Sequence, residues 1–249
     1  MTRRRPFFIG WSADAPQTRR RTLLGAGLAL AAGAGGGVAA VVAAGREPIG
    51  SGIWDTGQVR TLHGVLFAHP YPLLRTLDLG AGARTVFLAT DGKAAARVPP
   101  ELQGRWVRVS GTLLSRGANA MLAVEGLAAA SGAEASGLRD LQTTALGEVL
   151  LTGEILDAKC WFGAMRPGYG RTHKACAALC VHGGLPTAFC RAGDCGTGNE
   201  APLFLDPNGA PHGHDVLPLV ADPVFVRGEL VRVGDVTELR ASLDAVRRL

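Results

Sequence analysis

The chain has 249 residues, enough for one large domain or two small ones, and a formal net charge of +5. The charge is confined to the N-terminus: Arg3, Arg4, Arg5, Arg19, Arg20 and Arg21 face one acid, Asp14, within residues 1–22, and the remainder carries 20 basic and 20 acidic side chains. A neutral body with 6% aromatic residues excludes a surface built to neutralise phosphates or stack bases, so no nucleic-acid partner is expected.

Residues 23–44 contain no charge and no strongly polar side chain. At ~1.5 Å per residue such a stretch crosses a ~30 Å hydrocarbon layer. Six of these residues are glycine and most others alanine, which makes the span mildly hydrophobic. Arg20-Arg21-Thr22-Leu23-Leu24 resembles a twin-arginine export signal with leucine in the usual phenylalanine place. Val42-Ala43-Ala44 offers a small-residue cleavage site, yet the basic tail is longer than a cleaved signal needs, and the expectation is an uncleaved signal-anchor. The positive-inside rule then puts the arginines in the cytoplasm and the rest of a single-pass protein outside the bacterial inner membrane, in the periplasm. Gly33-x-x-x-Gly37, with Ala29 and Val41 on the same face, suits self-association through the transmembrane helix, although the motif is weak in so small-residue-rich a segment. The partners expected are the lipid bilayer and a membrane protein that the sequence does not identify.

Residues 45–57 are rich in glycine, proline and serine and read as a linker. A first β domain is expected over 58–127. Within it, residues 105–114 alternate, with Trp106, Arg108 and Ser110 on one face and Val107 and Val109 on the other; residues 115–119 form a turn and 121–124 return as a hairpin. Phe87, Leu88, Gly92, Val107, Val109, Gly111, Leu113, Gly117 and Leu122 each recur 117 residues later as Phe204, Leu205, Gly209, Val224, Val226, Gly228, Leu230, Gly234 and Leu239. Leu62-x-Gly64-x-Leu66 recurs as Leu151-x-Gly153-x-Ile155, at a separation of 89. One unit is therefore built twice, and the second copy holds an insertion of about 28 residues, the difference between those separations. The fold class expected is mainly β: two duplicated small OB-like β-barrel domains after one N-terminal transmembrane helix, the second with a Cys/His-rich helical insertion. Residues 128–145 read as the linker between them, and 146–249 as the second β domain. One continuous sandwich made by both halves is the alternative.

All five cysteines lie in the segment 157–200. Thr172 reads as an N-cap, 173–182 is helix-compatible, and Gly183-Gly184 before Pro186 gives a stop. On that helix His173, Cys176 and Cys180 share one face, and Cys160, at the end of the strand opening the domain, closes a Cys3His set from the other side. Zinc suits thiolate and imidazole in tetrahedral closure and is the first choice of metal, with copper and iron compatible. Asp157 is placed either to hydrogen-bond a ligating histidine or to make a strand-end turn. Cys190 and Cys195, in a glycine-rich loop, read as a local disulfide, which leaves three thiols. Oxidation is the competing account, with Cys160 bonded to Cys176 or Cys180 and one thiol left redox-active; an inert buried pair beside Leu179 is the third.

The pattern from Gly153, Ile155, Asp157, Cys160, Gly163, Met165, Pro167 and Gly168 to His173, Cys176, Ala177, Cys180, Gly183, Gly184 and Pro186 resembles that of a family of exported, often membrane-anchored bacterial proteins. The segments 5–11 and 70–75 are similar to the anchored members as well. The resemblance implies an anchored, exported protein with a Cys/His centre and supplies no reaction; Cys190 and Cys195 lie outside the motif. His212-Gly-His214-Asp215 reads as an exposed turn, and the chain has no P-loop, nucleophile elbow, C-x-x-C or C-x-x-C-H. The function expected is a non-catalytic accessory role, with a metal centre serving assembly of, or electron transfer in, a membrane system. The alternative is a thiol/disulfide oxidoreductase or redox sensor using Cys160, Cys176 and Cys180.

Overall fold

The computed structural model describes residues 21, 24–30, 32, 33, 35, 36 and 52–249, apart from 81, 133 and 135. Contacts divide the chain into two units, 1–47 and 48–249. In the first, the described residues are helical, with Leu24, Leu28 and Leu30 exposed. Among the described residues no helix is long and apolar enough to cross a membrane. Most of the basic tail and export signal, Gly37 of the packing motif, the cleavage site at 42–44 and residues 45–51 of the linker lie outside the described residues.

The second unit is mainly β. Strands β1 (Ile53–Phe67), β2 (Leu73–Thr76), β3 (Arg84–Ala89), β4 (Trp106–Arg116) and β5 (Asn119–Ala129) close a five-stranded barrel in the order β1-β2-β3-β5-β4, with β3 and β5 parallel. The pairings recur in β6 (Thr143–Asp157), β7 (Thr187–Arg191), β8 (Leu203–Leu205), β9 (Pro223–Val233) and β10 (Val236–Arg240): β8 and β10 are parallel, and β10 also pairs with β9, closing the ring. A short strand, β11 (Val246–Arg248), lies on the outer edge of β9. The bounds of β9 are those of β4 displaced by the 117-residue repeat.

The recurring glycines have one physical cause. β1 and β6 each run alongside one strand and then gain a second neighbour, β2 or β7, at Gly64 and Gly153. A Cβ at these positions would lie 2.2 Å from the carbonyl oxygen of Arg75 and 1.9 Å from that of Cys190. Gly111 and Gly228 face carbonyls of Ala123 and Arg240 in the same way, at 2.0 and 2.6 Å. The alternation read over 105–114 holds through Thr112 and slips at Leu113, and the bulge opposite Ser110 and Gly111 lies on β5, where Glu125 is the extra residue.

Several boundaries differ from expectation: the turn read over 115–119 is narrower, since β4 runs to Arg116 and β5 starts at Asn119. Residues 53–57, assigned to the linker by composition, open β1, because Trp54 has a place for its indole: its Nε1–H donates to Thr112 Oγ1 at 2.8 Å. The segment 128–145 gives its first two residues to β5 and its last three to β6. The connection between β6 and β7 has 29 residues (158–186) against five (68–72) between β1 and β2, so most of the insertion lies there. Cys190 therefore sits in β7, a strand of the barrel, and not in the glycine-rich loop.

Each barrel has its own apolar core, one around Leu66, Leu88 and Val107 and the other around Ile155, Phe204 and Val226. A third cluster joins them, with Phe87 and Met121 from the first half and Trp161, Phe162, Cys180 and Leu203 from the second. The tips of two equivalent hairpins are exchanged. From the β4–β5 tip, the buried Arg116 donates to the carbonyls of Trp161, Cys195, Gly196 and Gly198 and lies 4.0 Å from the Trp161 ring centroid. From the β9–β10 tip, Asp235 pairs with Arg75 and accepts from the Thr85 N–H and hydroxyl at 2.9 and 2.6 Å. Burial raises the Asp235 pKa, but the Thr85 hydrogen bonds and the Arg75 charge outweigh it and hold the carboxyl below its ordinary value.

Two outcomes follow from this packing. Gly153→Val should cost at least ~3 kcal/mol in a denaturant titration, whereas Gly57→Ala, where a Cβ would meet nothing closer than 3.9 Å, should stay within ~0.5 kcal/mol of wild type. Asp235→Asn should cost about 1–3 kcal/mol at neutral pH. Since the folded-state pKa is depressed, the carboxylate's contribution is complete above the unfolded value of about 4 and is lost as pH falls through the folded one; the variant should therefore show a shallower acid-side loss of stability.

Candidate metal centre

Asp157 ends β6 with no exposed surface. Its Oδ1 accepts the Cys160 N–H at 2.8 Å, and the chain turns there into a single π-helical turn, Cys160–Ala164. The turn leaves through Gly163 at φ 144°, where a Cβ would meet the Ile53 backbone at 2.6 Å, so only glycine fits. A 3₁₀ turn, Arg171–His173, leads into helix α1, Lys174–His182. Thr172 does not cap this helix: the N-cap position is His173, and no side chain bonds the first turn. Gly183 and Gly184 end it, as their spacing suggests, with Gly184 at φ 82°.

This local structure brings Cys160, Cys176 and Cys180 together. The Cys160 sulfur lies 3.8 Å from that of Cys176 and 4.0 Å from that of Cys180. Disulfide-bonded sulfurs sit ~2.05 Å apart, whereas two thiolates on one tetrahedral zinc, each ~2.3 Å from it, are separated by about 3.8 Å. The spacing matches the second case, and the three sulfurs form a cluster that could hold a metal ion. All three cysteines are free; Cys160 and Cys180 are buried and Cys176 is partly exposed.

His173 falls in an adjoining cluster with Asp157 and Cys160, and not within the one cluster that joins all three sulfurs. It is buried, with Nε2 2.8 Å from Asp157 Oδ2. An ionised carboxylate can only accept, so Nε2 donates to it; in the neutral ring that leaves the lone pair on Nδ1, the arrangement in which a histidine ligates a metal. Asp157 thus serves both roles read for it, turn former and histidine partner, with one oxygen for each.

Two lysines complete the electrostatics. Lys159, 2% exposed, donates to the carbonyls of Thr90, Asp91 and Gly92 at 2.6, 2.8 and 2.7 Å, and its nitrogen lies 4.9 Å from the Trp54 ring centroid. Three acceptors require three N–H groups, so the side chain is an ammonium. Burial pulls its pKa down, and the negative charge of Cys180, Cys160, Asp91 and Asp157 opposes the fall. Lys93, exposed on the same loop of the first barrel, places its Nζ 2.6 Å from the Cys176 sulfur, and that hydrogen bond raises its pKa. The contact with Cys180, together with burial, pushes the Cys160 thiol up, and the same contact pulls Cys180 down.

Cys190 and Cys195 are joined as expected, with Cα atoms 5.3 Å apart. They also cluster with Glu154, but the disulfide occupies both sulfurs. The Cys195 carbonyl accepts from Trp161 Nε1 at 3.0 Å and from Arg116, so the staple braces the residue next to Cys160. His212 stacks on Phe204, and His214 stacks on His182 at the exposed end of α1.

Sequence reasoning missed Lys93, Lys159 and Arg116. Lys159 stands between Asp157 and Cys160, where a charge on a buried strand end was a signal; Lys93 and Arg116 act across 83 and up to 82 residues of chain, which no local pattern reports. No protein-family model, curated protein or solved structure matches the chain.

Asp157→Ala leaves the Cys160 N–H and the His173 ring without their buried partner, and should cost about 3 kcal/mol in urea or guanidinium titrations.

Proposed function

We propose that this chain is an exported, membrane-anchored accessory protein in which two OB-type barrels hold a zinc centre for assembly of a membrane system. Cys160, Cys176 and Cys180 would supply three thiolates, and His173, oriented by Asp157, the fourth ligand through Nδ1. The observation that carries the reading is the separation of the sulfurs, 3.8 and 4.0 Å, at the edge length of a zinc tetrahedron. Bound zinc would supply cross-linking of strand β6 to helix α1; iron or copper at the same thiols would suit electron transfer. The anchor and the periplasmic side rest on residues 1–44, with their basic tail and uncharged span.

An OB-type barrel binds oligonucleotides through a face and loops that include the hairpin joining its fourth and fifth strands. Here both such hairpin tips are spent on the other barrel, through Arg116 and Asp235. That mutual occupation, with the neutral body, argues against a nucleic-acid ligand.

The test is metal analysis of the full-length protein, purified by its native export route, with a thiol count before and after chelation. About one metal ion per chain is expected, with three thiols reacting only after chelation and the metal lost in Cys176→Ser. No metal, together with a reactive thiol or a second reducible disulfide, would retire the zinc centre in favour of a thiol oxidoreductase.

A further inference from the structure

Lys93 is unusual among the groups around the thiols. It belongs to the first barrel, which holds none of the three sulfurs, and reaches across to Cys176, the one thiol that is not buried. Its position is fixed by backbone rather than by its own side chain. The Ala95 N–H donates to the Gly183 carbonyl at 3.0 Å, and a Cβ on Gly183 would lie 1.9 Å from the Lys93 carbonyl oxygen. From the other side, the Lys159 ammonium grips the three carbonyls that immediately precede Lys93. A loop held at both ends by the thiol-bearing insertion thus presents one ammonium to the exposed edge of the sulfur cluster.

Building on the zinc reading, we infer that Lys93 closes and passivates the centre: its N–H···S bond covers the Cys176 thiolate and draws electron density from the sulfur, so the most accessible ligand stays bound and unreactive. The placement of the neighbouring cations supports this. Lys174 is paired with Asp222 at 2.6 Å, Lys159 and Arg116 are directed to backbone carbonyls, and Lys93 places its ammonium on a sulfur of the cluster. Lys93 is therefore a positioning residue, which acts on the metal through Cys176.

The same contact predicts effects of opposite sign in the two chemical states. On a metal-bound thiolate, the hydrogen bond suppresses attack on electrophiles. On a free thiol, an adjacent ammonium favours the thiolate and promotes attack. Full-length protein is compared as wild type, Lys93→Met and Lys93→Arg, with zinc content measured and iodoacetamide modification of each cysteine followed by peptide mass spectrometry. In Lys93→Met, Cys176 should be modified about tenfold faster, the scale of one charge-assisted hydrogen bond, with zinc released in step. Lys93→Arg should stay within ~2-fold of wild type, because it restores a cationic donor. Lys93 itself is exposed, so any fall in thermal melting of Lys93→Met should track its zinc loss and be absent between the zinc-free proteins. An unchanged Cys176 rate in Lys93→Met would overturn the role of Lys93 while normal zinc content upheld the centre. A slower rate in zinc-free protein would overturn both readings, since it marks a free thiolate that Lys93 had been activating.

Discussion

A buried ammonium cannot leave its N–H groups without acceptors, and Lys159 meets that demand with three consecutive carbonyls of a loop in the other barrel. Much of the architecture depends on this one clamp. Lys159 lies between Asp157, whose carboxylate shapes the turn, and Cys160, whose sulfur is central to the thiol cluster. Satisfying the ammonium therefore fixes the insertion against residues 90–92, and it brings Lys93 to Cys176 as a consequence. The centre is sited where the two barrels meet because a charge on one of them is solvated by the backbone of the other.

The duplication explains why the two halves can be coupled so closely. Equivalent hairpins reach into opposite barrels, but their chemistry has diverged. Arg116 carries a cation to carbonyl groups of the second half, and Asp235 carries an anion to Arg75 and Thr85 of the first. The tips exchange opposite charges, so neither half can be replaced by a copy of the other at this contact. The β7–β8 loop that receives Arg116 is itself tied back by the disulfide from Cys195 to β7, and its Cys195 carbonyl holds the Trp161 indole beside Cys160. Bracing of the thiol cluster thus runs from the first barrel through Arg116 and from the second through the staple.

What was legible in the sequence is what repeats or punctuates. Gly64 and Gly153, and Gly111 and Gly228, mark backbone approaches too close for a side chain, and they give the duplication away before any strand is drawn. Gly183-Gly184 marks the end of α1. The disulfide and the grouping of three thiols follow from counting five cysteines in one segment. The linker bounds were misread because residues 53–57 are glycine-containing and polar, yet Trp54 finds a hydrogen-bond partner on β4. Thr172 was misread as a cap because serine and threonine caps are common, whereas here a 3₁₀ turn delivers the chain to α1 and leaves that hydroxyl unused in the first turn. The lysines and Arg116 were invisible because their partners are backbone carbonyls and a sulfur far away in sequence, and such acceptors have no residue signature.

The coexistence of one disulfide with three free thiols bears most directly on the chemistry. Cys190 and Cys195 are bonded, while Cys160 stands 3.8 Å from Cys176 and 4.0 Å from Cys180, near enough that a modest movement would pair it with either. Two constraints oppose that movement. The Cys160 backbone is pinned by Asp157 and by the neighbouring Lys159 clamp, and Cys176 and Cys180 are fixed one turn apart on a helix stopped by Gly183 against the first barrel. A fold that wanted a second disulfide had only to relax one of these restraints. Instead it holds three sulfurs in one cluster, and adds His173, paired with Asp157, in an adjoining one. Thiols kept apart at that spacing are shielded from pairing by geometry, and an ion seated among them would shield them by bonding as well; the same separations that discourage oxidation are those that favour coordination.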